Sequence, residues 1–272
     1  MVADVISKFS RIGFLFLLST VLVGCASDPS GSVNSVAPKG TGFQLLSFND
    51  SKGKSHNYSV FVPLKYNPKT ASPAILFLHG QFEGGSDGKK CTTVGIGQAI
   101  KRNVQTWDFI TIFPQTGDGT WNDDSELNIA LGALDDVQKR YSVDKNRVIL
   151  TGLSTGGEGT WLLGARAIDR FAAFIPICAG AEKQTVPVIA KRAVWAFHNQ
   201  GDPFRSYGGA KKMNELLLAA GGNSKLTGYG GFLSHNAWDR AYSEPELLPW
   251  MRRQRINAKP SDVRLTSTGG AR

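Results

Sequence analysis

The chain has 272 residues, 41% of them hydrophobic and 19% charged, so it can bury a substantial core and global disorder is excluded. Its 31 Lys and Arg against 22 Asp and Glu leave a net charge of +9, yet the basic residues are scattered, with only short pairs such as Lys211-Lys212 and Arg252-Arg253. No run is long enough for a polyanion-binding stripe, which argues against nucleic acid as a partner. Three cysteines, Cys25, Cys91 and Cys178, form no metal-ligand spacing, and neither a metal nor a cofactor is expected. Cys91 and Cys178 either pair in an oxidising compartment or stand as buried thiols.

Residues 1–24 have the layout of a secretory signal: Lys8 and Arg11 lead into an uncharged apolar run from Ile12 to Val23. That run is too short to span a bilayer comfortably. It ends in Leu22-Val-Gly-Cys25, which resembles the lipobox of bacterial lipoproteins, whose cysteine becomes the acylated N-terminus. The resemblance implies lipidation at Cys25, a membrane anchor in the bacterial cell envelope and, with Ala26 in the next position, the outer membrane. Ordinary cleavage after Ala26 is the alternative. Residues 25–42, rich in Ser, Gly and Pro, read as a flexible tether, and residues 257–272 as a disordered tail. The folded domain is expected over 43–256.

Strands are expected at 43–48 and 58–62, with His56 at a solvated strand end in their hairpin. Ala74 to Leu78 is a continuous apolar run of central-strand type, leading into the loop His79-Gly-Gln81-Phe-Glu-Gly-Gly85. A helix from about 93 to 103, a strand at 109–113 and a loop carrying Trp121 come next. Leu127, Leu131, Leu134, Val137 and Tyr141 fall at helical spacing and predict an amphipathic helix over 126–141. Strands at 148–151, 171–178, 193–197 and 225–229 alternate with helices after 156, over 206–220 and around 245–255. Gly221-Gly222 marks a helix C-terminus. This alternation predicts an α/β fold with a mostly parallel, doubly wound sheet.

The strand ending at Thr151 runs into Gly152-Leu-Ser154-Thr-Gly156, the G-x-S-x-G pattern of a nucleophile elbow. A serine on so sharp a strand-to-helix turn needs glycine two residues to either side, where a Cβ would collide. The following helix points its positive end at the serine, which favours a developing oxyanion. Such a serine needs a base and an acid from later strand ends, in the order Ser, Asp, His. Asp202 lies on a turn past the strand 193–197, and His235 in the loop after the last strand. His198 competes as base and Asp239 as acid, but His198 more naturally packs under the loop and Asp239 begins a helix. The backbone N–H groups of Gln81 and Thr155 are placed to form the oxyanion hole, with His79 structural beneath the loop.

Leu78-His79-Gly80, Tyr141 to Val148, Gly152 to Gly157, Ile175 to Cys178, His198-x-x-x-Asp202-Pro and His235-Asn-Ala-Trp238 together resemble α/β-hydrolases. The closest resemblance is to small serine esterases of the dienelactone-hydrolase, phospholipase/carboxylesterase and polyhydroxybutyrate-depolymerase-like type, over residues 55–255. It implies Ser154 as nucleophile, His235 as base and Asp202 as acid. Departures are Asn199 in place of a glycine, whose turn Asn can tolerate in the left-handed region, and Thr155 in place of a frequent methionine. Trp121 is expected beside the site or as an exposed loop anchor. Glu158 is expected to complement the helix dipole or to face substrate. Only 14 residues separate Cys178 from Ala193, leaving no room for a lid domain there, so an open site for bulky or polymer-linked esters is expected. A serine peptidase and a non-catalytic envelope binding protein are the alternatives.

Overall fold

The computed structural model describes residues 40–231 and 233–256; Cys25, the signal 1–24 and the tail 257–272 lie outside them, as does most of the tether. The described chain opens with a hairpin, β1 (Gly42–Asn49) and β2 (Ser55–Val62). Asp50 builds its turn: Oδ1 accepts from the N–H groups of Lys52 and Lys54, and Gly53 takes φ 79°. His56 is bound to the same carboxylate through Nε2 at 2.9 Å, so this histidine serves the hairpin.

Six further strands follow, β3 (Ser72–Leu78), β4 (Ile110–Pro114), β5 (Val143–Leu153), β6 (Ala173–Ile177), β7 (Ala193–Asn199) and β8 (Ser224–Tyr229). They lie in one sheet of order β1-β2-β4-β3-β5-β6-β7-β8. The hairpin and the β2–β4 pairing are antiparallel, and every pairing from β4 to β8 is parallel. Among the described residues seven helices complete it: α1 (Ile96–Arg102), α2 (Asp124–Arg140), α3 (Thr155–Arg166), α4 (Val186–Ile189), α5 (Tyr207–Ala219), α6 (Trp238–Ala241) and α7 (Leu247–Arg253).

Alternation along the strands splits the core in two. Ile75, Phe77 and Ile149 face the layer of α1, α6 and α7. Leu76, Leu78 and Leu150 face that of α2, α3, α4 and α5. Coverage on both faces explains why the central strands read as unbroken apolar runs. The winding changes direction between neighbours β3 and β5, because β4 lies to one side of the pair and β6 to the other. Their carboxyl ends therefore flank the crevice where ligands bind in open α/β sheets.

Some boundaries differ from expectation. β5 begins at Val143, five residues early, because Val143 pairs with Ser72 ahead of a register shift that the polar Asp144-Lys-Asn146 conceals. α1 starts only at Ile96, after a 3-10 turn at Lys90–Thr92 and Gly95 at φ 56°. α4 and α6 are four-residue helices, too short to show a period. Among the described residues, the connection from β6 to β7 holds one 3-10 turn and α4, with no lid. No helix of the described residues is long and apolar enough to cross a membrane.

α2 carries a complete capping box: the Asp123 side chain accepts from the Ser125 and Glu126 N–H groups, and the Glu126 carboxylate accepts from the Asp123 N–H. Asp123→Ala is expected to lower the midpoint of urea unfolding at neutral pH. An unchanged midpoint would show that the cap contributes nothing.

Candidate active site

Ser154 joins β5 to α3 at φ 55° and ψ −120°, a region costly for any residue with a side chain. The turn is pinned on both sides. The Ser154 N–H donates to the Ile177 carbonyl at 2.9 Å, and its own carbonyl accepts from Gly157 and Glu158. A Cβ on Gly152 would strike the Gly156 carbonyl, and one on Gly156 the carbonyl oxygens of Leu78 and His79. These glycines let the elbow press backbone against backbone on the exit of β3.

His235 Nε2 lies 2.8 Å from Ser154 Oγ, and Nδ1 lies 2.7 Å from Asp202 Oδ2. A carboxylate only accepts, so Nδ1 carries the proton and Nε2 is left to accept from the serine hydroxyl. The Asp202 side chain is fully buried. Burial, the largest single influence, pushes its carboxyl up; the N–H groups of Arg205 and Phe204 together with His235 outweigh it and leave the carboxyl below its ordinary value. Those N–H groups donate to Oδ1 at 3.0 and 2.8 Å.

The structure thus brings Ser154, Asp202 and His235 together and bonds neither competitor to the serine. His198 is buried under the turn, its Nε2 donating to the Arg205 carbonyl at 3.0 Å and lying 3.4 Å from Asp202 Oδ2. Asp239 is exposed and accepts from the Asn236 side chain instead.

The loop after β3 runs over the elbow. The N–H groups of Gln81 and Thr155 donate to no acceptor among the described residues, which leaves both free for an incoming oxygen. His79 holds the loop from below. Its Nε2 accepts from the Thr116 N–H at 3.2 Å, so Nδ1 bears the proton and donates to the Gly80 carbonyl at 2.7 Å. Burial keeps the ring neutral, pulling it down to about 4. On the same loop Glu83 accepts from the Gly80 N–H at 3.1 Å, and burial raises its carboxyl.

Trp121 and Glu158 both make bonds within the protein. Trp121 is fully buried rather than an exposed anchor, and its Nε1–H donates to the His79 carbonyl at 3.0 Å, under the loop of Gln81. Glu158 gives both carboxylate oxygens to Arg205, at 2.6 and 3.3 Å. Asn199 needs no left-handed turn, since it ends β7 and its side chain donates to the Ser234 carbonyl at 2.9 Å. Cys91 and Cys178 are both free and buried, which decides for buried thiols over a pair. Cys178 donates through Sγ to the His235 carbonyl at 2.9 Å, so two side chains clamp the histidine loop that sequence left unsupported. These partners lie tens of residues apart, and no local pattern announces them.

Cys178 Sγ, an Asp202 oxygen and a His235 nitrogen fall within 4.8 Å of one another, the one donor group of metal-binding type among the described residues. Burial pushes the Cys178 thiol up to about 12, away from the thiolate a metal requires, and Asp202 and His235 already bond each other. Phe82, Phe204 and Leu233 stand at 84%, 70% and 87% exposure on the loops of Gln81, Asp202 and His235.

No family model matches the chain. It is 26% identical over 158 residues to a bifunctional acetylxylan esterase/xylanase of Neocallimastix patriciarum, a match covering 57% of this chain and 22% of that protein. Among solved structures it is similar to a thermostable esterase at TM-score 0.69 and 26% identity, over 78% of this chain and 63% of that one. It is also similar to a ferulic acid esterase at TM-score 0.63 and 17% identity, over 78% and 99%. The chain thus spans less than two thirds of the curated relative and of the thermostable esterase. With this sheet, this elbow and these neighbours, the chain has the α/β-hydrolase fold. The solved structures it resembles include these esterases and, at 12% identity and TM-score 0.64, a putative dipeptidyl aminopeptidase IV from Bacteroides ovatus.

The buried histidine predicts a pH dependence. An unfolded histidine titrates near about 6.5, so between there and about 4 the unfolded chain binds a proton that folded His79 refuses. Stability is then complete above about pH 6.5 and falls by about 3 kcal/mol as the pH drops to 4. His198, also lowered by burial, adds in the same direction. The lowered Asp202 has the same sign at lower pH: its contribution holds above the unfolded carboxylate value and is lost as pH falls through its own. Urea unfolding at pH 7 and 4.5 measures the slope. His79→Asn should be less stable at pH 7 but flatter, and an unchanged slope would rule His79 out as its source.

Proposed function

We propose that the chain is a serine carboxylic-ester hydrolase working through an acyl-enzyme, with Ser154 as nucleophile, His235 as general base and acid, and Asp202 as the group that orients the base. The observation that carries this reading is the hydrogen-bonded line from Asp202 Oδ2 through His235 to Ser154 Oγ, at 2.7 and 2.8 Å. Ser154 Oγ attacks the ester carbonyl while His235 Nε2 takes its proton, and Asp202 stabilises the imidazolium that forms. The N–H groups of Gln81 and Thr155 receive the oxyanion. His235 returns the proton to the leaving alcohol; water then attacks the acyl-serine by the same route.

The substrate class we propose is a bulky or polymer-linked ester. Support comes from the connection without a lid, from the exposed apolar side chains on the loops of Gln81, Asp202 and His235, and from relatives whose names specify acetylxylan and ferulic acid. The lipobox-like Leu22 to Cys25 supports a lipid anchor in the cell envelope, at the outer membrane.

Ser154→Ala should cut turnover of a short p-nitrophenyl ester by about 10⁴-fold or more. Near-normal activity in that variant would end the elbow assignment. Absence of covalent labelling of folded protein by a fluorophosphonate would favour a binding role instead. Asp202→Asn should lose roughly 10⁴-fold, because the charge goes and the tautomer can flip, whereas Asp239→Asn should stay within about tenfold. Ester and amide substrates sharing one acyl group separate esterase from peptidase.

A further inference from the structure

Glu158 and Arg205 lie 47 residues apart, outside the three residues assigned to the chemistry, and each is tied to one of them. Glu158 is in the first turn of α3, its N–H bonded to the Ser154 carbonyl at 3.1 Å. Arg205 follows Asp202 by three residues. Its N–H donates to Asp202 Oδ1 at 3.0 Å, and its carbonyl accepts from His198 at 3.0 Å. The guanidinium then crosses to the carboxylate, Nε to Oε1 at 2.6 Å and Nη2 to Oε2 at 3.3 Å, in the two-pronged geometry that fixes direction as well as distance. Both side chains are partly buried, at 31% and 18% exposure. Gly180 keeps the place clear, since a Cβ there would come within 2.7 Å of Glu158 Oε1.

We propose that Glu158 and Arg205 are positioning residues for ester hydrolysis, their ion pair closing a ring that runs from Ser154 through Glu158, Arg205, Asp202 and His235 back to Ser154. The proposal rests on the triad reading above. The turn carrying Asp202 is exposed at Pro203 and Phe204, so little packs against it from outside. The ion pair fastens it to the helix that begins at the nucleophile. Without the pair Asp202 shifts, the imidazole of His235 follows, and Nε2 leaves the line of the serine hydroxyl. A misplacement of about 1 Å costs on the order of 10²-fold in rate.

The test uses the full chain with Glu158→Gln, Arg205→Met, the double variant and Arg205→Lys. Each of the first two should lower kcat on a p-nitrophenyl ester by about tenfold, with KM held within about twofold. The double variant should be no slower than either single, since one interaction is lost only once. Arg205→Lys, which keeps the charge but not the fork, should fall between. Labelling by a fluorophosphonate should slow in step: the serine Oγ–P bond forms as P–F breaks, fluoride leaves and the proton passes to His235. A purely scaffolding pair would lower the melting temperature and leave the kcat of folded enzyme unchanged, which overturns the proposal; additive losses in the double variant do the same. Turnover that depends on Ser154 but ignores Glu158→Gln sinks the ring alone. Turnover indifferent to Ser154→Ala sinks the triad reading and the ring with it.

Discussion

The structure depends on how closely two backbones approach where β5 ends beside β3. Gly156 lies so near the carbonyls of Leu78 and His79 that no side chain fits between them. That contact sets Ser154 in its strained conformation and places the loop after β3 directly over the start of α3. The strain persists because Ile177 holds one side of the turn and the first turn of α3 the other. Nearby, Gly119 presses on the Gln81 carbonyl, and the Thr155 hydroxyl donates to the Gly119 carbonyl at 2.7 Å. The two N–H groups proposed to receive an oxyanion thus belong to one packed assembly and need little rearrangement when charge develops.

Behind each loop stands a buried polar group whose job is mechanical. His79 and Trp121 hold the loop of Gln81, His198 holds the turn of Asp202, and Asn199 with Cys178 hold the loop of His235. Each would be expensive to bury alone, and each is paired. Two of the supports are histidines that remain neutral, so the underside of the site carries shape without adding charge near Asp202.

Much of this was legible in the sequence because its signals are local. The run from Ala74 to Leu78, the glycines around Ser154 and the period of α2 each depend on neighbours within a turn or two. The order Ser154, Asp202, His235 was readable because strand ends in such a sheet all open to one side. What stayed hidden depends on distant partners. Trp121 gave no sign that its N–H would find a carbonyl 42 residues away. The backbone preferences of Asn199 say nothing of its role, which lies in a bond to Ser234. Glu158 looked like a dipole partner because its cation, Arg205, belongs to another loop. The early start of β5 was masked by polar residues that sequence patterns assign to a turn.

Phe82, Phe204 and Leu233 share a feature of placement: each is one or two residues from Gln81, Asp202 or His235, yet stands almost free of the protein. The buried hydrogen bonds of each loop lie at its root, and the tip is exposed, though Phe204 still meets the His235 ring edge-on at 5.5 Å. Change at a tip therefore meets little resistance from the fold, while change at a root disturbs buried hydrogen bonds. Over evolutionary time such an arrangement lets these exposed positions change by single substitutions, with the buried hydrogen bonds beneath them left intact. Positions open to substitution thus lie only a residue or two from positions that the fold holds fast.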